Sequence, residues 1–363
     1  MIVGIVGGGQ LARMMALAGY PLGLRFVVLD PARDACAGQV AAQILGEYDD
    51  VEALAELARR CDVITFDFEN VPAVALERLS AEVPVAPNPQ ALASAQDRLS
   101  EKTLFRELGI GTPAFAAVDS LQQLEAAVEA IGLPAVLKTR RFGYDGKGQR
   151  VLRERAELAA AWDELGKYPL ILEGFVDFTR EVSIIAVRGR DGAIAFYPLT
   201  ENRHEGGILR LSRAPCTDAA ALDAQAQRHA RALLEHLDYV GVLAIEFFDV
   251  GGTLIANEMA PRVHNSGHWT IEGAETSQFE NHLRAVCGMS LGATQARGCS
   301  AMLNFIGRLP APAAFLAEPG LHWHDYGKEA RGGRKVGHAT LRADEPQTLA
   351  AALSRLQPLV VAD

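Results

Sequence analysis

Two glutamates, Glu246 and Glu258, stand in apolar runs on either side of a Gly251-Gly252 turn. The runs Leu243–Asp249 and Thr253–Met259 read as two strands of a hairpin. Counted outward from a three-residue loop, the two carboxylates fall directly opposite each other. About 4 Å apart, two such charges repel by ~4 kcal/mol at an effective dielectric near 20. Like charges that face each other on a sheet therefore need a cation. Oxygen ligands on rigid strands, with phosphate oxygens completing the shell, suit Mg²⁺. A register shifted by one residue would instead turn one glutamate to solvent.

A second group lies at 138–149, Lys138-Thr-Arg-Arg-Phe-Gly-Tyr-Asp-Gly-Lys-Gly-Gln149. Lys138 ends the apolar run Leu133–Leu137, and Gly143, Gly146 and Gly148 follow among polar residues. Such a loop can aim backbone N–H groups at phosphate oxygens, and Lys138 and Lys147 add positive charge. No Gly-Lys-Ser/Thr opens a helix, so this is not a Walker A loop; an ordinary hairpin turn would carry similar glycines. The chain has 6 lysines against 29 arginines. A lysine in so arginine-biased a sequence suggests a place that needs a compact ammonium, and Lys138, Lys147, Lys328 and Lys335 all lie in unusual segments.

Four further stretches carry chemistry. Gly7-Gly8-Gly9-Gln10-Leu11-Ala12 fits G-x-G-x-x-A between a strand and a helix, and Asp30 closes the next strand. That pattern suits a nicotinamide dinucleotide, but also any phosphate or polar ligand at a helix N-terminus. Leu170-Ile-Leu-Glu-Gly-Phe-Val176 places Glu173 at the end of an apolar strand, where it could receive an adenine amino group, with Glu181 behind it for ribose hydroxyls. Asn257-Glu-Met-Ala-Pro-Arg262-Val-His264-Asn-Ser-Gly-His268-Trp269 is a polar loop fixed to the carboxylate strand, a good place for substrate. Tyr326-Gly-Lys328-Glu-Ala-Arg331-Gly-Gly-Arg334-Lys335-Val-Gly-His338 sets cations among glycines and could clamp a phosphate monoester.

Elements must position these groups. Residues 1–95 alternate strand and helix: Ile2–Val6, Gln10–Ala18, Arg25–Leu29, Val51–Arg60, Val63–Phe66, Ala73–Leu79 and a short strand Val83–Val85. That alternation means a parallel sheet with helices on both faces. Pro84, Pro87 and Pro89 read as a connector. Asp97–Leu108 is helical and closed by Gly109. The segments Phe115–Val118, Leu121–Ile131, Ala135–Lys138, Gln149–Leu152, a helix near Arg155–Leu165 and Leu170–Glu173 form a small α+β unit. Antiparallel strands follow at Glu181–Arg188, Ala193–Pro198, Leu243–Asp249 and Thr253–Met259, with a long helix at Ala219–Leu237; residues from about 295 form a last small module.

A chain of 363 residues holds two or three domains. Its net charge of −10 argues against a general nucleic-acid surface, so an anionic substrate needs a local basic pocket. The five cysteines are scattered, with no Cys-x-x-Cys pair, which gives no zinc site and fits a reducing cytoplasm. No apolar run is long enough to span a membrane.

Gly7–Met14, Phe66-Asp-Phe-Glu-Asn-Val71, Gly143–Gln149, Glu258–Trp269 and Gly333-Arg-Lys-Val-Gly-His338 together, in this order and over essentially the whole chain, resemble the 5-(carboxyamino)imidazole ribonucleotide synthase family, ATP-grasp enzymes of bacterial purine synthesis. The resemblance implies an α/β and α+β protein. An N-terminal Rossmann-like parallel-sheet domain (1–95) would precede an ATP-grasp region (96–294) that contains a small lid (about 115–175), and a C-terminal module (295–363) would follow. It implies that ATP, bicarbonate and 5-aminoimidazole ribonucleotide give the N-carboxylated ribonucleotide, ADP and phosphate by way of carboxyphosphate, with Mg²⁺.

Site roles follow from the same resemblance. Arg98 and Lys138 would contact ATP phosphates under a flap of Gly143, Tyr144, Asp145, Gly146, Lys147, Gly148 and Gln149. Glu173, Gly174, Phe175, Val176 and Glu181 would hold adenosine, with His204 and Asn257 nearby. Glu246 and Glu258 would bind Mg²⁺. Tyr144, Asp145, Lys147, Arg262, His264 and Lys335 would surround the carboxyl-transfer centre. Gly8, Gly9, Gln10 and Glu69 would close the substrate pocket, and Lys328, Arg334 and Lys335 would hold the ribonucleotide. A cytoplasmic homodimer with small-molecule substrates, and with neither nucleic-acid nor membrane partners, is also implied. Two alternatives stay open: a formate-dependent glycinamide ribonucleotide transformylase of the same fold, and a nicotinamide dinucleotide-binding protein that uses Gly7–Asp30.

Overall fold

The computed structural model describes residues 1–143 and 147–360. A parallel unit comes first, from β1 (Ile2–Val6), α1 (Gln10–Gly19), β2 (Arg25–Asp30), β3 (Ala42–Leu45), α2 (Val51–Arg60), β4 (Val63–Phe66) and α3 (Ala73–Ser80). Its strands lie in the order β3-β2-β1-β4, all parallel. Strands covered on both faces are largely apolar, as the interiors of β1, β2 and β4 are. Val3, Ile5 and Val28 pack with Leu11 and Met15 of α1, while Val6, Val27 and Leu29 pack with Leu57 of α2 and Leu76 of α3.

The proline-rich stretch differs from expectation. Val83–Val85 makes only a single bridge, from Ile64 to Val85, because Pro84 has no N–H to give a ladder. The expected connector is a helix from its third proline onward: α4 (Pro89–Gln96) starts at Pro89, where no donor is needed, and Asn88 caps it by accepting the Ala91 N–H. The strand β3 was not expected either, being four residues long and half-exposed.

α5 (Arg98–Glu107) is capped by the Asp97 carboxylate, which accepts from Leu99 and Ser100. It leads to β5 (Phe115–Val118), α6 (Leu121–Ile131), β6 (Ala135–Thr139), β7 (Gln149–Leu152), α7 (Leu158–Leu165) and β8 (Leu170–Gly174). The four strands form an antiparallel sheet ordered β5-β8-β6-β7. Alternation divides its faces. Ala135, Leu137, Leu170 and Leu172 pack under α6 and α7. Val136, Lys138, Ile171 and Glu173 take the opposite face, where Val136 pairs directly with Glu173 and Lys138 with Ile171.

The remaining strands are β9 (Arg180–Arg188), β10 (Ile194–Phe196), β11 (Thr200–Glu205), β12 (Ile208–Ala214), β13 (Gly241–Val250), β14 (Thr253–Ala260), β15 (Cys299–Gly307), β16 (Leu321–Asp325) and β17 (Arg331–Ala343). Between or after them run α8 (Ala220–His236), α9 (Thr270–Gly273), α10 (Gln278–Val286), α11 (Pro312–Leu316) and α12 (Pro346–Leu356). The described strands join one sheet in the order β14-β13-β9-β11-β12-β15-β17-β16, with β10 on β9. The residues beyond 295 are therefore not a self-contained sheet. β15 pairs with β12, which carries the basic segment of β17 onto the same molecule-wide surface as the glutamate hairpin. The β11–β12 hairpin was not expected, since its first strand, Thr-Glu-Asn-Arg-His-Glu, shows no apolar alternation.

The glutamate hairpin reaches its facing arrangement by an unexpected route. The turn has two residues, not three: Val250 pairs with Thr253, and Gly251 and Gly252 sit at φ +58° and +89°, backbone that glycine adopts without strain. Continued unbroken, that register would set Glu246 opposite Asn257. A β-bulge intervenes, so Phe247 pairs with Ala256 and Glu246 with Glu258. Asn257 is the extra residue.

Candidate active site

Residues from all three sheets line one cleft of about 990 Å³. The glutamate pair occupies its floor. Burial pushes the Glu246 carboxyl up, and the charge of Glu258 pushes the same way, while His204 and then Lys335 oppose them. Glu258 is shifted down: burial works against its charge, but Arg98, then Lys138, outweigh it. Arg98 Nη1 donates to Glu258 Oε2 at 3.2 Å, although the glutamate side chain is 40% exposed to cleft water, which screens the pair. One carboxylate resists ionisation beside another, as two carboxylates that share a site do, and the all-oxygen donor set suits a hard metal. No group of three or more His, Cys, Asp or Glu among the described residues could hold a metal alone, so ligand oxygens would have to complete the shell.

On one side the cleft has the features of a phosphate site. Lys138, Gly143, Lys147 and Gln149 line it with Arg98, and Arg98 Nη2 donates to the Gly143 carbonyl at 3.3 Å. Gly148 lies just behind, its carbonyl accepting the Thr139 N–H at 2.8 Å. Tyr144, Asp145 and Gly146 fall outside the described residues.

Glu173 is held by lysines, which was not expected. It is 2% exposed and accepts Lys138 Nζ at 2.9 Å, with Lys102 Nζ at 3.6 Å. Both ammonium groups meet the same oxygen, Oε2, and Glu173 Oε1 is buried with no hydrogen-bond partner among the described residues, so one oxygen stays open to an adenine amine. Its neighbours connect the small sheet: Gly174 N–H donates to Ala114 O and Phe175 N–H to Pro134 O. Phe175 lines the cleft, with Val176 next to it half-buried. Glu181, His204 and Asn257 also line the cleft.

His204 Nδ1 is hydrogen-bonded to Glu181 Oε2. Burial disfavours the imidazolium, but the bond to Glu181 and the charge of Glu246 prevail, and its pKa is pushed from 6.5 up to about 9. The folded pKa lies above the unfolded one, so the stabilisation is complete below the unfolded value and is lost as pH rises through the folded one. It is worth at most ~3 kcal/mol. Denaturant unfolding of the wild type and of His204→Gln, followed from pH 6 upward, should show their stability difference shrinking between 6.5 and about 9 and nearly gone above that. A difference independent of pH would mean that the imidazole is not charged.

Elsewhere in the cleft, Arg262 forms an ion pair with Glu69 of the first unit and donates to Val263 O at 3.0 Å. His264 Nε2 lies 3.8 Å from Glu246 Oε1, and its Nδ1 is 2.9 Å from Ser266 Oγ. Burial, then Arg262 and Lys335, hold His264 well below its ordinary pKa, so it stays neutral. Lys335, Arg334 and Lys328 line the same cleft, together with Arg331 of the same cationic segment. Lys328 Nζ donates to Gln10 Oε1, and Arg334 Nη1 to Glu329 O.

The N-terminal glycines have a structural explanation. Asp67 occupies the N-terminus of α1, accepting the Ala12 N–H at 3.2 Å, and Asp30 accepts the Gly8 N–H at 2.7 Å. A Cβ at Gly7 would lie 1.8 Å from Asp67 Oδ1. The chain's own carboxylates thus take the anion position that a dinucleotide pyrophosphate would need, which overturns the nicotinamide alternative. Gly9, Gln10 and Glu69 line the cleft; Gly8 stands behind it.

Sequence reasoning found the helix α5 but singled out none of its side chains apart from Arg98. Glu101 and Lys102 are 2% and 0% exposed and grip the strand that carries Glu258. The scarcity of lysine was the available signal, and it applied to Lys102 as much as to Lys138.

With this geometry in place, three segments of the chain match known families: a ribonucleotide synthetase preATP-grasp domain over 1–96, an ATP-grasp domain over 103–279, and a phosphoribosylaminoimidazole carboxylase C-terminal domain over 300–352. The chain is 57% identical, over 100% of both sequences, to the N5-carboxyaminoimidazole ribonucleotide synthase of Pseudomonas aeruginosa. It superposes on the crystal structure of N5-carboxyaminoimidazole ribonucleotide synthetase from Thermus thermophilus with a TM-score of 0.96, 57% identity and 99% of each chain covered. An N5-carboxyaminoimidazole synthase from Aspergillus clavatus in complex with ADP and 5-aminoimidazole ribonucleotide aligns with a TM-score of 0.91 and 32% identity, covering 99% of this chain and 97% of that one.

Proposed function

This chain belongs to the N5-carboxyaminoimidazole ribonucleotide synthase family of ATP-grasp ligases, and we propose on that premise how its own residues divide the work. The reaction is the ATP-dependent carboxylation of 5-aminoimidazole ribonucleotide in purine biosynthesis. In our reading the carbon comes from bicarbonate. A bicarbonate oxygen attacks the γ-phosphorus, ADP leaves, and carboxyphosphate results. The exocyclic amine then forms the new C–N bond to the carboxyphosphate carbon, or to CO₂ released from it, and phosphate departs.

Arg98 and Lys138 would bind the phosphates of ATP, with Gly143, Lys147, Gly148 and Gln149 above them; Tyr144, Asp145 and Gly146 complete this flap in the proposal. Glu173, Gly174, Phe175, Val176 and Glu181 would border adenosine, with His204 and Asn257 toward the phosphates. Glu246 and Glu258 would hold Mg²⁺, which when bound neutralises phosphate charge. Lys328, Arg334 and Lys335 would grip the ribonucleotide phosphate, and Gly9, Gln10 and Glu69 would close its pocket. Arg262 and neutral His264 would stand at the amine and the transferred carboxylate, where His264 acts as a hydrogen-bonding imidazole and not as a charge. Enclosure by three sheets keeps water from the acyl phosphate.

The observation that supports this reading is the facing of Glu246 and Glu258 in a single cleft, with Arg98 and Lys138 acting on Glu258 and Lys335 and His264 close to Glu246. We place the functional divisions at 1–95, 96–294 and 295–363, with the lid at about 115–175. The three matched segments support them, while the third division shares the large sheet. A homodimer, expected from the family, and a cytoplasmic location belong to the same proposal; the location is supported by five free thiols, which suit a reducing compartment. The test is thermal unfolding with ATP–Mg²⁺ against NADH, since a ligand of the native state alone raises the midpoint. ATP–Mg²⁺ should raise it and NADH should not. The reverse pattern would defeat the proposal.

A further inference from the structure

We propose that Lys102, on α5 and outside the cleft lining, is the positioning residue that fixes the Asn257 bulge and thereby makes Glu246 and Glu258 a metal-binding pair. This rests on the reading that those two glutamates hold the metal. β14 is the edge strand of the large sheet, so its outer N–H and C=O groups have no strand partner and a two-residue turn alone would leave the register open to slip. Leu254 N–H donates to Gln225 Oε1 and Ala256 N–H to Gly111 O, and α5 takes the groups around Glu258. Lys102 Nζ donates to Ala256 O at 3.0 Å and to Asn257 O. Glu101 Oε1 accepts the Met259 N–H at 2.6 Å. Two consecutive side chains therefore hold the backbone on both sides of Glu258, at the bulged residue and its neighbours.

The third direction of the ammonium points to the lid. Lys102 Nζ lies 3.6 Å from Glu173 Oε2, the oxygen that also accepts Lys138 Nζ. One buried cation thus links the bulge beneath the metal pair to the lysine aimed at phosphate. The geometry explains why a lysine stands here in an arginine-rich chain: two carbonyls and a carboxylate around a point suit a compact three-donor ammonium, and a planar guanidinium fork does not. Lys102 would touch neither ATP nor the acceptor; its effect would pass through Asn257, Glu258 and Glu173.

The test is ADP binding by calorimetry, with and without Mg²⁺, to the wild type, Lys102→Met and Glu258→Gln, with melting recorded for each. Lys102→Met keeps an unbranched side chain one atom shorter and removes its donors. It should lose at least ~10-fold of the gain in ADP affinity that Mg²⁺ confers, as expected for lost hydrogen bonds to a charged group, while ADP affinity without Mg²⁺ changes much less. A role in stability alone would lower the melting point and leave the Mg²⁺-dependent gain at the wild-type value, which would overturn the proposal. Glu258→Gln separates the two readings. If it keeps the gain, the metal assignment is wrong; if it loses the gain and Lys102→Met does not, Lys102 alone is misassigned. Should Lys102→Met not fold, Lys102→Gln keeps two amide donors on a shorter stem without the charge, and a Mg²⁺ gain equal to that of the wild type would refute the role assigned to the three-donor ammonium.

Discussion

Glu258→Gln should lower kcat by at least ~10²-fold, the loss seen when a preorganised electrostatic group is removed from a reacting centre, with no loss of fold. Glutamine keeps the shape of the side chain. It removes a charge that is paired with Arg98 at 3.2 Å and that opposes ionisation of Glu246. Folding loses one screened ion pair and is relieved of one repulsion, so the melting temperature should stay near that of the wild type. Catalysis fares worse, because one of the two carboxylates proposed to hold Mg²⁺ against phosphate becomes a neutral amide. Turnover at saturating Mg²⁺, measured beside a melting curve, decides the matter. Activity within a few-fold of wild type would remove Glu258 from the metal site.

Lys335→Ala should raise KM for 5-aminoimidazole ribonucleotide by roughly 10–100-fold, as expected for the loss of a charge-assisted hydrogen bond, while KM for ATP stays near wild type. Lys335 stands on β17 where bulges interrupt the pairing with β15 around Ile306. It lines the cleft with Lys328, Arg331 and Arg334, and its charge reaches both Glu246 and His264. That places it beside the carboxyl-transfer centre as well as in the cationic cluster. His264→Ala should behave otherwise, lowering kcat more than it raises KM. Steady-state titrations in each substrate separate the cases. A Lys335→Ala variant weakened for ATP alone would move the basic cluster to the nucleotide end.

Local pattern revealed much of this arrangement. The parallel unit was legible because its strands are largely apolar and its helices keep a 3.6-residue stripe. Lys138 stood out as a lysine at the end of a buried strand. The facing of Glu246 and Glu258 was anticipated, but for the wrong reason: a three-residue turn was assumed, whereas the molecule uses a two-residue turn and a bulge. Nothing local to 241–260 announces that bulge, since the groups that hold it belong to Glu101 and Lys102, more than 150 residues earlier.

The same non-locality hid the role of the N-terminal glycines. Gly7 and Gly9 look like a dinucleotide fingerprint until Asp67 folds into the space they leave. The ion pairing of Glu173 was hidden because its strand register sets it beside Lys138 on the face opposite the leucines, a pairing visible only once β6 and β8 are neighbours. The β11–β12 hairpin was missed because Asn202 is buried in hydrogen bonds to Ser183 and Ser212, so a polar sequence forms an interior strand. Wherever polar residues satisfy one another across the fold, hydropathy no longer reports burial.

The central claim is that this cleft uses ATP to carboxylate the amine of 5-aminoimidazole ribonucleotide with bicarbonate. It is tested most directly by supplying ATP, Mg²⁺ and isotope-labelled bicarbonate, with and without the ribonucleotide, and following ADP, phosphate and labelled product together. The account predicts the labelled N-carboxylated ribonucleotide in amounts equal to ADP and phosphate, formed only when 5-aminoimidazole ribonucleotide is present. ATP consumption that leaves no label on the ribonucleotide, or that proceeds instead with formate and glycinamide ribonucleotide, would contradict it.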